Sequence, residues 1–194
     1  MQNDIIILIL SYLIGSIPFG LVISYIAGHG DIRKIGSGNI GTTNVLRTGN
    51  KFLAFLTLLA DSSKVILAIL FAKFLGYSLE YYVATAAFLG HLFPIWLKFR
   101  GGKGVASFLG LSLYLFPKIA ALLASVWIIT FVTTRYSSLA AIFAAIAGMI
   151  VLPFALPIDK NLYLVLTLIL LILIKHKDNI RRLLNGEESK FKKD

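Results

Sequence analysis

An all-helical protein that crosses a lipid bilayer several times is the fold class this sequence predicts, and three observations predict it. Of 194 residues, 58% are hydrophobic and 14% charged, with a mean hydropathy of +0.85; soluble domains lie nearer half apolar and a quarter charged. The apolar residues are gathered into unbroken runs, not the alternating pattern of a membrane barrel strand. The charges, net +10, fall between the runs. An ordinary soluble domain and a disordered chain are excluded. With no cysteine, so are a disulfide scaffold, a thiolate metal site and a cysteine nucleophile. The length predicts one membrane domain over 1–194.

The runs lie at 5–27, 52–75, 79–97, 105–117, 119–134, 138–158 and 161–174. A spanning helix needs about 20 apolar residues at about 1.5 Å each. Three runs reach that length and 79–97 nearly does. The run 161–174 is short, and Lys175 and Lys177 extend it by snorkelling. Residues 105–134 are long for one span and short for two, with Pro117–Lys118 in the middle, so they read as two short helices or a re-entrant hairpin. Residues 1–4 carry no Lys or Arg and no cleavage site follows, so the first run reads as a mature helix, not a secretory signal. Gly15 and Pro18 interrupt that helix, which is tolerated where neighbours satisfy the freed backbone. Ala140, Ala144 and Gly148 form a small-residue stripe for close helix packing.

Charge placement orients the bundle. With a cytoplasmic C-terminus, fifteen cations lie inside: Arg33, Lys34, Arg47 and Lys51, then Lys98, Arg100 and Lys103, then Arg135, then the seven from Lys175 to Lys193. Only Lys73, Lys118 and Lys160 lie outside, and Lys64 lies within a helix. This asymmetry predicts an outside N-terminus and an inside C-terminus. The same pattern assigns the positive charge to membrane topology and not to nucleic acid.

Two polar loops carry candidate chemistry. Residues 31–47 include Gly36, Ser37, Gly38, Asn39, Gly41, Thr42, Thr43, Asn44 and Arg47. The spacing matches G-x-G-x-x-G, but a membrane helix precedes it where a dinucleotide fold needs a strand. Glycine-exposed amides, neutral donors and an arginine fork still suit a phosphate, against a plain polar loop with topogenic charge. Residues 98–104 place Lys98, Arg100 and Lys103 among Gly101, Gly102 and Gly104. Topology needs the charge but not the glycines, so this loop is read as a phosphate site.

Further candidates lie in or beside the helices. Asp61 and Lys64 are three apart on one helix face, an ion pair or part of the chemistry. His91 approaches the second loop. His176 and Asn179 share a face that Arg182 continues. Ser137 and Ser138 start a helix, where capping accounts for them. The histidines are dispersed, so no metal site and no cofactor is expected. Loops and helix end together predict a cationic cleft at the cytoplasmic side, open to the bilayer. That suits an enzyme of lipid synthesis. An anion transporter or channel is the alternative, but it calls for polar groups through the midplane and inverted repeats.

Five segments, 15–20, 36–44, 90–94, 100–106 and 176–183, read GSIPFG, GSGNIGTTN, GHLFP, RGGKGVA and HKDNIRRL. In this order they resemble the bacterial glycerol-3-phosphate acyltransferases that use acyl phosphate, the PlsY type. The family commonly has glycine after the lysine of the second helix, where Val65 stands here. The resemblance implies a bundle of seven transmembrane helices, two of them short, in the bacterial inner membrane with the site near the cytoplasmic face. It implies acyl transfer from long-chain acyl phosphate to the 1-hydroxyl of glycerol 3-phosphate without an acyl-enzyme, giving lysophosphatidic acid and phosphate. A soluble acyl-phosphate-forming enzyme is the implied partner. Lys103 and the Gly101–Gly104 amides would take phosphate. Ser37, Asn39, Asn44 and Arg47, with Gly36, Gly38 and Gly41, would take the headgroup and second phosphate, and Arg100 would assist. His176 and Asn179 would orient glycerol 3-phosphate. The proton would go to His91, His176 or a substrate phosphate. Asp61, Lys64, Ser138 and Arg182 would support from behind.

Overall fold

The computed structural model describes residues 2–191, all helix and connecting loop with no strand among them. Lys192 and Lys193, counted above among the inside charges, lie outside the described residues. The helices are α1 (Gln2–Gly15), α2 (Phe19–Ile26), α3 (Thr42–Leu46), α4 (Lys51–Phe74), α5 (Glu80–Leu92), α6 (Val105–Leu115), α7 (Pro117–Thr134), α8 (Ser137–Ala155), α9 (Lys160–Lys175) and α10 (Lys177–Leu184). Among the described residues, four segments are long and apolar enough to cross a bilayer: Gln2–Ile26, broken at Pro18, Lys51–Phe74, Pro117–Thr134 and Ser137–Ala155.

The chain forms two compact units, residues 1–115 and 116–194. In the first, α4 is central and packs on α1, α2, α3, α5 and α6. Asn50 starts it by accepting the Leu53 amide at 3.1 Å, which satisfies one orphan donor of the first turn. Its buried face is Val65, Ala68, Ile69 and Ala72. Val65 is fully enclosed, so the side chain standing where the resemblance leads one to expect glycine is packed in the interior.

Glycine sets the helix spacing. A Cβ on Gly15 would strike the backbone of Ala87, and one on Gly90 the Tyr12 carbonyl, so α1 and α5 cross backbone to backbone. Gly110 of α6 rests on the Ser62 carbonyl of α4 in the same way. Ser62 Oγ donates to Ala106 O at 2.9 Å and Ser107 Oγ to Asp61 O at 3.2 Å, joining α4 to α6. Gly90→Ala is therefore expected to cost about 1–3 kcal/mol, as overpacking against unyielding backbone does. A detergent melting temperature equal to the unaltered protein's would disprove that contact.

The expected length of the third run is corrected. Pro94 and a 3₁₀ turn at Ile95–Leu97 end the helix, so α5 has 13 residues, because a helix cannot continue through the residue before proline. The stretch 105–134 resolves as two helices, and only α6 is short. Pro117 occupies the first turn of α7, where its missing N–H costs nothing, and α7 runs 18 residues.

The second unit packs α7 on α8, α8 on α9, and α10 on both α8 and α9. Asp159 caps α9 through the Asn161 and Leu162 amides. Gly148 lies against Ile169 and Leu123, as the small-residue stripe predicts. Ser138 does not cap α8: the residue before the helix is Tyr136, and the Ser138 hydroxyl is used elsewhere.

Candidate active site

In the first unit, residues 31–47 fold around Asn44. This side chain is 1% exposed. Its Nδ2 donates to Ile32 O at 2.6 Å and Ile35 O at 3.2 Å, and its Oδ1 accepts the Ser37 amide at 3.0 Å. Asn44 thus builds the loop and has little left for a ligand, which corrects its reading as a binding residue. Gly36 is in the left-handed region (φ 55°) and lies under the Asn44 and Arg47 side chains, where a Cβ would collide with both. Ser37 and Gly38 are exposed, and Gly41, half-buried, has open space where a Cβ would stand. The buried Oδ1 of Asn39 and Oγ1 of Thr42 lack a hydrogen-bond partner. Arg33 is committed to Asp31 through contacts of 2.7–3.1 Å, and this hydrogen bonding holds the Asp31 carboxyl at about 2.

The second loop returns onto the end of α5. After the turn at Ile95–Leu97, Lys98 and Phe99 both take left-handed backbone (φ 51° and 62°), an uncommon state for residues with side chains. The Gly101 amide then donates to Leu92 O at 3.2 Å and the Gly102 amide to His91 O at 3.0 Å. These two amides cap α5 and are not offered to a phosphate, which corrects that part of the reading. Gly102 lies on the His91 ring, and Gly104 (φ 88°) lies under Phe88 and Leu92. Lys103 is held between these two buried glycines with its own side chain half-buried, while Arg100 is exposed.

Asp61, Lys64 and His91 meet in the interior, exposed 1%, 1% and 4%. Lys64 Nζ lies 2.8 Å from Asp61 Oδ1, 3.0 Å from Ile17 O and 2.9 Å from His91 Nδ1. An ammonium has three donors and no acceptor, and all three are accounted for. The break between α1 and α2 supplies the Ile17 carbonyl. With Nδ1 accepting from Lys64, His91 carries its proton on Nε2.

The second unit gathers the other predicted residues. His176 is buried, and its Nδ1 lies 2.8 Å from Ile172 O. A carbonyl only accepts, so Nδ1 carries a proton. Asn179, also buried, donates through Nδ2 to Glu188 Oε1 at 2.7 Å. Ser138 Oγ donates to the same oxygen at 2.6 Å, and Arg182 Nε to Oε2 at 2.7 Å.

A sequence profile described as glycerol-3-phosphate acyltransferase matches residues 5–186. This chain belongs to the glycerol-3-phosphate acyltransferase family. It is 52% identical to the glycerol-3-phosphate acyltransferase of Bartonella henselae, over 96% of this chain and 90% of that one. It is 53% identical to that of Rhodopseudomonas palustris, over 95% and 94%. It is similar to the crystal structure of PlsY, an integral membrane glycerol 3-phosphate acyltransferase, in its glycerol 3-phosphate form (TM-score 0.89, 37% identity, covering 98% of this chain and 96% of that one). The lysophosphatidic acid form matches with TM-score 0.86 at 36% identity, with the same coverage.

Within this acyltransferase-family chain, Glu188 is the residue that sequence reasoning missed. It lies beyond α10 in a segment with no periodic pattern, and nothing in Gly186–Ser189 marks it. Its side chain is 7% exposed. Burial opposes its ionisation, but the hydrogen bonds from Ser138, Asn179 and Arg182 outweigh this and hold the carboxyl below its ordinary value. A depressed carboxylate stabilises the fold above its unfolded pKa and loses that contribution as pH falls through the folded one. In detergent, the melting-temperature gap between the protein and its Glu188→Gln variant should be full above pH 4.5, the ordinary value, and shrink on further acidification. A gap independent of pH would refute the charged hub.

Proposed function

We propose that this chain transfers a fatty acyl group from long-chain acyl phosphate to the 1-hydroxyl of glycerol 3-phosphate, yielding lysophosphatidic acid and phosphate. The observation that carries this is the likeness, over 98% of the chain, to an acyltransferase in both its glycerol 3-phosphate and lysophosphatidic acid forms. The transporter alternative finds no support among these relatives.

Acyl phosphate is already activated, so the protein has to align the groups and stabilise charge. The hydroxyl oxygen attacks the acyl carbonyl carbon, the carbonyl-to-phosphate C–O bond breaks, and phosphate departs with the bonding electrons. The hydroxyl proton ends on a phosphate oxygen, so no acyl-enzyme forms and no cofactor is used. In this reading Lys103, with Arg100, neutralises the departing phosphate. Arg47, Ser37 and Asn39 take the second phosphate and headgroup, on the frame that Gly36, Gly38, Gly41 and Asn44 provide. His176 and Asn179 orient glycerol 3-phosphate. His91 is not the base, because Lys64 occupies its Nδ1.

The chain acts as one acyltransferase domain that crosses the inner membrane seven times, with α1 and α2 as one interrupted crossing followed by α4 to α9. The positive-inside bias supports an outside N-terminus and a cytoplasmic active face. A soluble enzyme that makes acyl phosphate supplies the donor.

The test is purified protein with glycerol 3-phosphate and palmitoyl phosphate, read as lysophosphatidic acid and released phosphate, with palmitoyl-CoA as the alternative donor. Product from palmitoyl phosphate alone is expected. Product only from the CoA ester would overturn the donor, and none from either would overturn the function. Phosphate or glycerol 3-phosphate flux in proteoliposomes would reinstate transport.

A further inference from the structure

The buried ionisable cluster at the centre of the first unit has no part in the chemistry above, yet it includes His91, on which the second loop rests. Lys64 ties α4 to the α1–α2 break through Ile17 O and to α5 through His91 Nδ1. Asp61 balances its charge at 2.8 Å. The Phe19 ring of α2 lies 5.8 Å from the Lys64 ammonium. The His91 ring in turn is the floor on which Gly102 rests, and His91 O accepts the Gly102 amide. One side chain therefore fixes both the ring and the strand of loop lying on it. Burying an ion pair in a membrane protein is costly, and apolar packing alone would hold these helices more cheaply.

We propose that Asp61, Lys64 and His91 are positioning residues for acyl transfer: their network fixes the Gly101–Gly104 loop from beneath, and with it the place of Lys103. This rests on the acyl-transfer reading. It assigns His91 the role of a hydrogen-bond acceptor and support, not a proton carrier.

Two sets of variants test it, each with kcat, KM and a detergent melting temperature. The first compares His91→Asn with His91→Ala. Asparagine can present Oδ1 to Lys64 where the imidazole presented Nδ1. His91→Ala is expected to lose about tenfold or more in kcat, since small displacements of a catalytic group are costly, and His91→Asn to recover most of that loss. The second is Asp61→Leu combined with Lys64→Met, which removes the pair without leaving a lone buried charge. It is expected to melt close to the unaltered protein, with kcat reduced about tenfold or more and KM for glycerol 3-phosphate changed less.

Full activity in a stable paired variant would overturn the proposal and leave the acyltransferase reading intact. Asn and Ala variants at His91 that are equally inactive would overturn it too. If the paired variant does not fold, the His91 comparison decides, because it leaves the ion pair in place. An unaltered protein that makes no lysophosphatidic acid would overturn the functional reading, and this proposal with it.

Discussion

Lys103→Ala should reduce kcat/KM with palmitoyl phosphate and glycerol 3-phosphate about a hundredfold to a thousandfold, some 3–4 kcal/mol of transition-state stabilisation. The backbone on either side of Lys103 is immobilised. Gly102 is pinned by its amide to His91 O and by the ring beneath it, and Gly104 is left-handed and enclosed by Phe88 and Leu92. The first turn of α6 begins two residues later, and its free amides favour an anion there. A departing phosphate gains charge as the C–O bond breaks, so a fixed ammonium stabilises the transition state more than the ground state. The loss should therefore fall mainly on kcat. Lys103→Arg keeps the charge but replaces a compact ammonium with a planar fork, and should lie between. Activity of Lys103→Ala within about threefold of the unaltered protein would remove Lys103 from the phosphate site, since mutating a transition-state contact costs far more.

Much of the architecture was legible because membrane helices are written in composition. Unbroken apolar runs marked most of the long helices to within a few residues, and proline marked the two boundaries that mattered: Pro117 opens α7, and Pro94 ends α5 earlier than the apolar residues alone suggest. Spacing also placed Asp61 and Lys64 on one face. What periodicity cannot carry is long-range assembly. His91 joins that pair from another helix, 27 residues away from Lys64, and Glu188 reaches Ser138 across 50. Residue type misled where one chemistry serves two purposes. Asn39 and Asn44 are both amides in one glycine-rich loop, yet Asn44 turns inward to hold the loop while Asn39 keeps an unpartnered buried oxygen. The glycines of 101–104 suggest amides exposed to a phosphate, but those of Gly101 and Gly102 cap α5. The glycines are there because the loop has to lie directly on His91 and Phe88.

Asn44→Ala should then behave as a structural change with a catalytic consequence. Removing the amide takes one hydrogen bond from each of the Ile32 and Ile35 carbonyls, which keep the Ile35 and Gly38 amides, and leaves the Ser37 N–H without its acceptor. Each hydrogen bond lost costs about 0.5–1.5 kcal/mol, so about 2–4 kcal/mol is expected in total. The loop should lose the turn that sets Gly36 under the Arg47 side chain, and acyl transfer should fall about a hundredfold, as displaced positioning groups cause. Asn44→Asp discriminates further. It keeps the acceptor for Ser37 but sets a carboxylate against two carbonyl oxygens, and should be no better than alanine. A residue that only bound glycerol 3-phosphate would act otherwise. Its loss would raise KM for that substrate, leave the melting temperature unchanged, and be overcome by saturating glycerol 3-phosphate. The melting temperature and the response to substrate concentration, measured on one preparation, separate the two roles. The closed set of hydrogen bonds around Asn44 commits the loop to the first.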